Sequence, residues 1–303
     1  MIDDKLKIDK ENDDVCYNDE LHKYWVKNTK QSCISVTTLI HKFQNFDEEF
    51  WSSYKTLERI ISPEDFKSIK GTLLKSKQFY NTYLEMFAIN EETFFQEKQV
   101  LLKEWEEKRE ASCIRGSLIH KEQELLNLSG NTPEIQKLKL GGNFITKDTN
   151  RIEPGVKGVY PELLLSRVSE DGKFRLAGQA DLIIVDEFDV YVIDYKTGKS
   201  MDTKAYYDRN KKKHETMKYP LNNIQDTNFW HYTLQLSTYA WMIQKIDPRF
   251  NIKMLLLIHI DHDNVVTDYE CEYRKADVER MLMFYRKQLE HEEFMEAVKK
   301  LEF

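Results

Sequence analysis

The sequence predicts an α/β or α+β core preceded by a helical elaboration, and three observations carry this. Three strand-like runs, 160–168, 174–185 and 190–195, follow one another with turn signals between them. A helix-period segment at about 227–246 separates them from two more strand-like runs, 254–260 and 265–273. Helical spacing dominates 47–128 and returns from about 276 to 301.

Taken in order, residues 22–40 (HKYWVKNTKQSCISVTTLI) predict a short hairpin, with strands Tyr24–Val26 and Ile34–Val36 and a turn at Asn28–Lys30. Leu57, Ile60, Ile61, Phe66, Leu73, Leu74, Phe79 and Tyr83 then recur at helical intervals, punctuated at Ser62-Pro63. A long helical pattern over 91–128 stops at Ser129-Gly130; one helix, or two joined near Ala111–Cys113, both fit it. Polar, glycine-containing sequence leads through Gly158 to the three strands. A second polar connection, 199–226, leads to the helix at 227–246, and the turn Asp261–Asn264 joins the last two strands. The expected division is an N-terminal hairpin and helical elaboration, 1–110, and a core, 111–303.

A chain of 303 residues with 41% hydrophobic content can bury a sizeable core. It contains no run of about 18 apolar residues, so no membrane association is expected. Its acidic, polar start lacks the pattern of a secretory signal. Cys16, Cys33, Cys113 and Cys271 form no CxxC pair, which speaks against a zinc knuckle or disulfide framework and for a reduced, cytoplasmic protein. A net charge of -7 would not by itself suggest a nucleic-acid binder. The charge is uneven, however. Residues 204–218 (KAYYDRNKKKHETMK) hold six Lys or Arg against two acids, with Tyr206 and Tyr207 inside and Tyr219 next to them. Such a run is either a solvated loop or a phosphate-tracking, base-stacking surface.

The chemistry concentrates in residues 177–198, AGQADLIIVDEFDVYVIDYKTG. Asp194 and Lys196 are two apart and share a strand face. A hairpin turning between Glu187 and Phe188 places Asp181 opposite Asp194, so both carboxylates and the amine project from one face. Leu182, Ile184, Tyr191 and Ile193 take the other. Opposed carboxylates repel, and a divalent cation held between them relieves the repulsion; oxygen ligands suit Mg²⁺ or Mn²⁺. Lys196 could orient or deprotonate a water there, or neutralise charge building on a phosphate. The alternative is a solvated strand face that carries Asp and Lys by chance, although both types are depleted inside strands.

The order of motifs resembles the RecB-like exonuclease branch of the PD-(D/E)XK nuclease superfamily, phage members included. Arg115-Gly116-Ser117-Leu118-Ile119-His120 is similar to its first motif, and Glu162 in Tyr160-Pro161-Glu162-Leu163 to its next acidic position. Gly178-Gln179-Ala180-Asp181 resembles its G-x-x-D, Asp194-Tyr195-Lys196 its D-x-K, and Gln235-Leu236-Ser237-Thr238-Tyr239 its Q-x-x-x-Y. Ser35-Val36-Thr37-Thr38 resembles a segment near the start of many phage members. The main motifs span 115–239.

The resemblance implies a restriction-endonuclease-like core, a central mixed sheet flanked by helices. It implies a Mg²⁺- or Mn²⁺-dependent deoxyribonuclease acting on DNA that is single-stranded or has free ends, in replication, recombination or repair, and in the host cytoplasm if phage-encoded. Metal ligands would be His120, Asp181, Asp194, Glu162 and the Tyr195 carbonyl; catalytic residues would be Lys196, Asp194, Asp181 and Glu162. Gln235, Tyr239 and Arg115 would contact DNA, joined by Lys211, Lys212 and Lys213 of the basic run. On the residues alone, Gln235 and Tyr239 share a helix face, but Tyr239 also fits an apolar stripe with Leu236, Ala240 and Ile243, and a lone helical histidine is often structural. Iron–sulfur members carry three clustered cysteines downstream. Cys271 stands alone there, so no cluster is expected. Gly198-Lys199-Ser200 imitates a P-loop end, but Ile193 occupies the place of its first glycine. His259–Asp263 reads as a polar turn rather than a second metal site. Two rival functions stay open: a nuclease-fold protein that binds DNA without cutting it, and a structure-specific endonuclease.

Overall fold

The computed structural model describes residues 7–29, 31–76, 80–147, 151–208 and 212–301. Two compact units emerge: Met1–Asn45 together with Leu118–Phe303, and Phe46–Ser117. Among the described residues no helix is long and apolar enough to cross a membrane.

The chain opens with three short strands, β1 (Lys10–Glu11), β2 (Val15–Asn18) and β3 (Lys23–Val26), which form an antiparallel meander. The expected hairpin partner of β3 is displaced toward the N-terminus. Trp25 bridges Ser32, and the Cys33 amide donates to the Tyr24 carbonyl at 2.9 Å. β4 (Ile34–Ser35) instead pairs in parallel with a strand of the central sheet. Val36 is helical: Ser35 caps α1 (Val36–His41) by accepting the Thr38 amide at 3.0 Å. A serine that can satisfy an orphan helix donor outweighs the β preference of the valine after it.

The Phe46–Ser117 unit contains α2 (Glu48–Ile60), α3 (Pro63–Ser76), α4 (Tyr80–Met86) and the first part of α5 (Glu91–Leu128). Asp47 caps α2, and Ser62 accepts the Asp65 amide ahead of α3, where Pro63 takes the first helical position. The apolar residues at helical spacing close on one another: Phe50, Tyr54, Leu57, Phe66, Ile69, Leu73 and Phe94 are buried together. The buried Lys98 ammonium is matched by Glu49 at 2.6 Å and by Ser53. The long pattern over 91–128 is one uninterrupted helix. It ends where Gly130 takes φ +81 and the Asn131 amide reaches back to the Leu126 carbonyl, a left-handed close that suits glycine.

The other unit continues with α6 (Pro133–Lys137), β5 (Ile145–Thr146), β6 (Gly158–Val168), β7 (Arg175–Asp186) and β8 (Asp189–Thr197). A small hairpin of β9 (Tyr207–Asp208) and β10 (Lys213–His214) precedes α7 (Asn228–Ile246). Then come β11 (Asn251–Ile260), β12 (Val266–Cys271) and α8 (Lys275–Leu301). Seven strands form one mixed sheet in the order β12-β11-β8-β7-β6-β5, with β4 beside β7. β8 and β11 are parallel, joined by the crossover that contains α7; β6, β7 and β8 are antiparallel neighbours.

Period-2 alternation splits the sheet's apolar residues between two faces. Ile183, Val185, Val190, Val192, Leu255 and Leu257 pack with α1, α7 and α8 through Leu39, Leu236, Ile243 and Met281. Leu182, Ile184, Ile193, Tyr195, Leu256 and Ile258 face the other way, against Ile135 and Leu138 from α6 and its end. Each fully buried aliphatic side chain contributes about 1.5–3 kcal/mol. The doubly covered β7–β8 pair is therefore a rigid platform for whatever its open end carries.

Candidate active site

The β7–β8 ladder runs from Asp186↔Asp189 to Leu182↔Ile193. This is the register of a turn centred between Glu187 and Phe188, with Glu187 at φ +61. The next position outward holds Asp181 and Asp194. There a side-chain contact replaces the ladder: the Tyr195 amide donates to Asp181 Oδ2 at 2.8 Å. On the opposite edge of β7, Pro161↔Leu182 and Leu163↔Ala180 bracket Glu162, which stands level with Asp181. Glu162, Asp181 and Asp194 thus lie in a row across three adjacent strands. Glu162 has φ +51, an uncommon conformation for a non-glycine residue within a strand. It breaks the alternation of β6, so that Tyr160 and Leu163 enter the same core cluster although they are three apart.

α5 contributes His120, whose Nδ1 lies 3.2 Å from Asp181 Oδ2. One ligand atom each of His120, Glu162 and Asp181 falls within 4.8 Å of the others. Asp194 is not in that group. Its Oδ2 is 2.6 Å from Lys196 Nζ, and its Oδ1 accepts from Gln235 Nε2 at 3.3 Å. Gln235 Nε2 also reaches the Tyr239 hydroxyl at 3.3 Å, one turn further along α7. The glycine of the G-x-x-D segment makes this possible. A Cβ on Gly178 would stand 2.7 Å from a Tyr239 ring carbon and 3.0 Å from Val36 Cγ2.

The electrostatics are those of crowded acids. Burial, and then the Asp181 charge, push Glu162 up to about 8. Burial and Asp181 also push Asp194 up to about 6, with Lys196 pulling the other way. Burial works against ionisation of Asp181 too, but His120 and Lys196 outweigh it and hold that carboxyl below its ordinary value. The Asp181 charge raises His120 to about 9 against the cost of burial. Burial disfavours the Lys196 ammonium, yet Asp194 and Asp181 together raise it above the usual lysine range. Four carboxylates, those of Glu124, Glu162, Asp181 and Asp194, face three cations, His120, Lys196 and Lys10, and a divalent ion would relieve the crowding of the acids. The imidazole nitrogen and carboxylate oxygens of His120, Glu162 and Asp181 are a donor set that fits a divalent metal ion.

Of the other residues singled out in the sequence, the Tyr195 side chain belongs to the opposite core cluster. Arg115 is on α5, ahead of His120, in the segment counted with the helical unit. Lys212, at φ +52, and Lys213 are exposed at the β9–β10 hairpin; Lys211 lies outside the described residues. Four neighbours of the site had no signal as such in the sequence. Lys10 pairs with Glu124 at 3.2 Å and lies 3.9 Å from Glu162. Gln179 donates to Glu162. The Tyr232 ring lies under Lys196 Nζ, 4.8 Å from its centroid. His259 is beside Lys196 in the β8–β11 register, buried, with Nε2 making no hydrogen bond among the described residues. Gln179 was inside a recognised motif, and strand alternation could have placed His259, which a polar-turn reading concealed. Nothing local marks Lys10.

No curated protein matches the chain significantly. Two solved structures resemble parts of it. One, of the protein SSO0001, is 22% identical over 41% of this chain and 48% of that chain, with a TM-score of 0.26. The other is from Eubacterium rectale, described as a "putative exonuclease", 9% identical over 43% of each chain, with a TM-score of 0.30. The matched part is thus under half the length of either structure's chain. Residues 57–301 match the family model described as the PD-(D/E)XK nuclease superfamily. With that match covering most of the chain, and a mixed sheet flanked by helices that lines up Glu162, Asp181, Asp194 and Lys196 at one place, the chain belongs to the PD-(D/E)XK nuclease superfamily.

Proposed function

We propose that this chain is a divalent-metal-dependent deoxyribonuclease of the RecB-like, phage-type branch, acting as an exonuclease on DNA that is single-stranded or has free ends. The observation that carries the reading is the grouping of His120, Glu162 and Asp181 within 4.8 Å beside the Asp194–Lys196 pair. These three side chains would hold Mg²⁺ or Mn²⁺, with Asp194 and the Tyr195 carbonyl as further ligands. The ion, when bound, supplies electrostatic relief for the charge that builds on the phosphate.

The chain's own residues do the rest. Burial disfavours the Lys196 ammonium, but Asp194, 2.6 Å away, and Asp181 favour it. Its role is to orient the attacking water or donate to a phosphate oxygen. Gln235 fixes Asp194 through its amide, and Tyr239 fixes Gln235 in turn. Arg115 and Lys211–Lys213 contribute phosphate contacts. For domain organisation we propose an N-terminal hairpin and helical elaboration over 1–110 ahead of a nuclease core over 111–303.

The test is digestion of end-labelled DNA, single- and double-stranded, linear and circular, with Mg²⁺, Mn²⁺ or EDTA. Linear DNA is expected to be degraded from its ends, circles to survive, and EDTA to stop the reaction. Cleavage of circles would replace the exonuclease by an endonuclease. No cleavage with either metal, alongside retained DNA binding, would leave a binding module.

A further inference from the structure

A groove of about 530 Å³ is lined by β3, the segment 31–35, α1, the β6–β7 turn and α8. That is the size of a small-ligand cleft. In a protein of net charge -7 its lining contains no carboxylate among the described residues. It does contain Lys23, Lys42, Lys173 and His22, with Tyr24 and Tyr285 as aromatic wall. Lys173 is engaged by Glu293 at 2.6 Å. Lys23 and Lys42 are exposed and make no ion pair among the described residues; Lys42 Nζ lies over the Tyr285 ring, 5.5 Å from its centroid.

The groove borders β7, the strand that carries Asp181. Its wall at Ser35 pairs with Ala177, four residues before Asp181. Four residues of strand are about 13 Å, roughly two steps of a nucleic-acid backbone. Tyr24 lines the groove and lies within electrostatic reach of the row. Burial, then the Glu162 charge and more weakly those of Asp19 and Asp181, push its hydroxyl above the ordinary tyrosine range. One face of the Tyr24 ring is stacked on Tyr17, with centroids 4.5 Å apart.

We propose that this groove holds the stretch of the substrate strand next to the scissile bond, with phosphates on Lys23 and Lys42 and the strand passing Tyr24 toward Asp181 and Glu162. A polyanion is the occupant that an acid-free, lysine-lined cleft selects in an otherwise acidic protein. The aromatic wall suits an unpaired strand, whose bases are free to pack against it. The inference rests on the nuclease reading and adds to it a binding path that the basic run at 204–218 does not supply.

The test measures binding of a fluorescent single-stranded oligonucleotide in EDTA, across a salt series. It compares the wild type, the double variant K23A/K42A and the control K67A/K70A, two exposed lysines of α3 outside the groove and the basic run. Both K23A/K42A positions are exposed, and thermal melting verifies the fold. Loss of two phosphate contacts is expected to weaken binding several-fold and to lower the slope of log K against log salt by about 1.4. Unchanged affinity and slope in K23A/K42A overturn the groove. If that variant also degrades linear DNA like the wild type, only the groove falls and the nuclease reading stands. If the wild type neither binds nor cleaves DNA, both fall.

Discussion

At Lys196 two opposing effects act on one ammonium: burial favours its loss of charge, and the two aspartates favour its retention. The aspartates win, since Asp194 Oδ2 is 2.6 Å away and itself almost wholly shielded from water. Removing the amine therefore has two consequences. Lys196→Ala leaves Asp194 as a buried, uncompensated charge, which in comparable pairs costs about 3–5 kcal/mol. It also removes a donor to the reacting phosphate, and the expected loss in kcat is about 10²- to 10³-fold. Calorimetry with Mn²⁺ should still find the ion bound, because His120, Glu162 and Asp181 are intact. Asp181→Asn should instead lose both Mn²⁺ binding and activity. Near-normal turnover by Lys196→Ala, at a temperature where it is folded, contradicts the role given to the amine. The D-x-K spacing was readable at this scale, since two residues apart on a strand means one face. That Asp194 would be engaged with Lys196 and Gln235, outside the trio with His120, was not: it depends on the rotamers and on how α7 packs.

The decisive element is the β7–β8 hairpin, with α7 laid across it. Its register followed from the sequence because one polar break offered one place to turn, and an apolar alternation that must bury both faces allows no slip of one residue. Gly178 shows the packing of the next layer. It is not needed for a left-handed backbone; it is needed because Tyr239 occupies the space a side chain would take. Gly178→Ala is expected to destabilise the protein by about 1–3 kcal/mol through overpacking and to disturb the Tyr239–Gln235–Asp194 chain. Chemical denaturation measures the first, and adding Tyr239→Leu should return part of it. If Gly178→Ala melts like the wild type, α7 does not press on β7 there. The N-terminal hairpin was misjudged at this same scale. Sequence pattern matched Ile34–Val36 to β3, whereas a parallel edge on β7 and a helix cap at Ser35 took those residues. Both competitors are long-range or cap effects that β propensity does not register.

For the molecule as a whole, the acidic row is a store of unfavourable charge, and its pH dependence has a definite sign. Glu162 at about 8, His120 at about 9 and Asp194 at about 6 are all raised above their ordinary values. A raised group contributes stability that is complete below its ordinary value and lost as pH climbs through the folded one. Asp181 is shifted the other way, but its transition lies below this range. The metal-free protein should therefore melt at lower temperature at pH 9 than at pH 6. Mn²⁺ should raise the midpoint more at the higher pH, because it displaces those protons. Glu162→Gln in EDTA should flatten the slope. A metal-free midpoint that rises from pH 6 to pH 9 contradicts this account. The charge asymmetry belongs to the same scale. A total of -7 says little about substrate, because the acids gather at the row and on the surface while a lysine-lined, carboxylate-free groove lies beside β7.

By itself the sequence determined the order of the long helices and the main sheet strands, the β7–β8 hairpin register and the shared face of Asp181, Asp194 and Lys196. These follow from short-range periodicity and turn chemistry, which act within about twenty residues. Only the tertiary structure decided that α5 brings His120 to Asp181, that β6 sets Glu162 level with it through a broken alternation, and that Lys10, Gln179 and His259 stand close by. The physical reason is that sheet order and helix docking are settled by how whole apolar faces are buried. Residues far apart in the chain meet only as a consequence of that burial, and nothing in their own neighbourhoods announces the meeting.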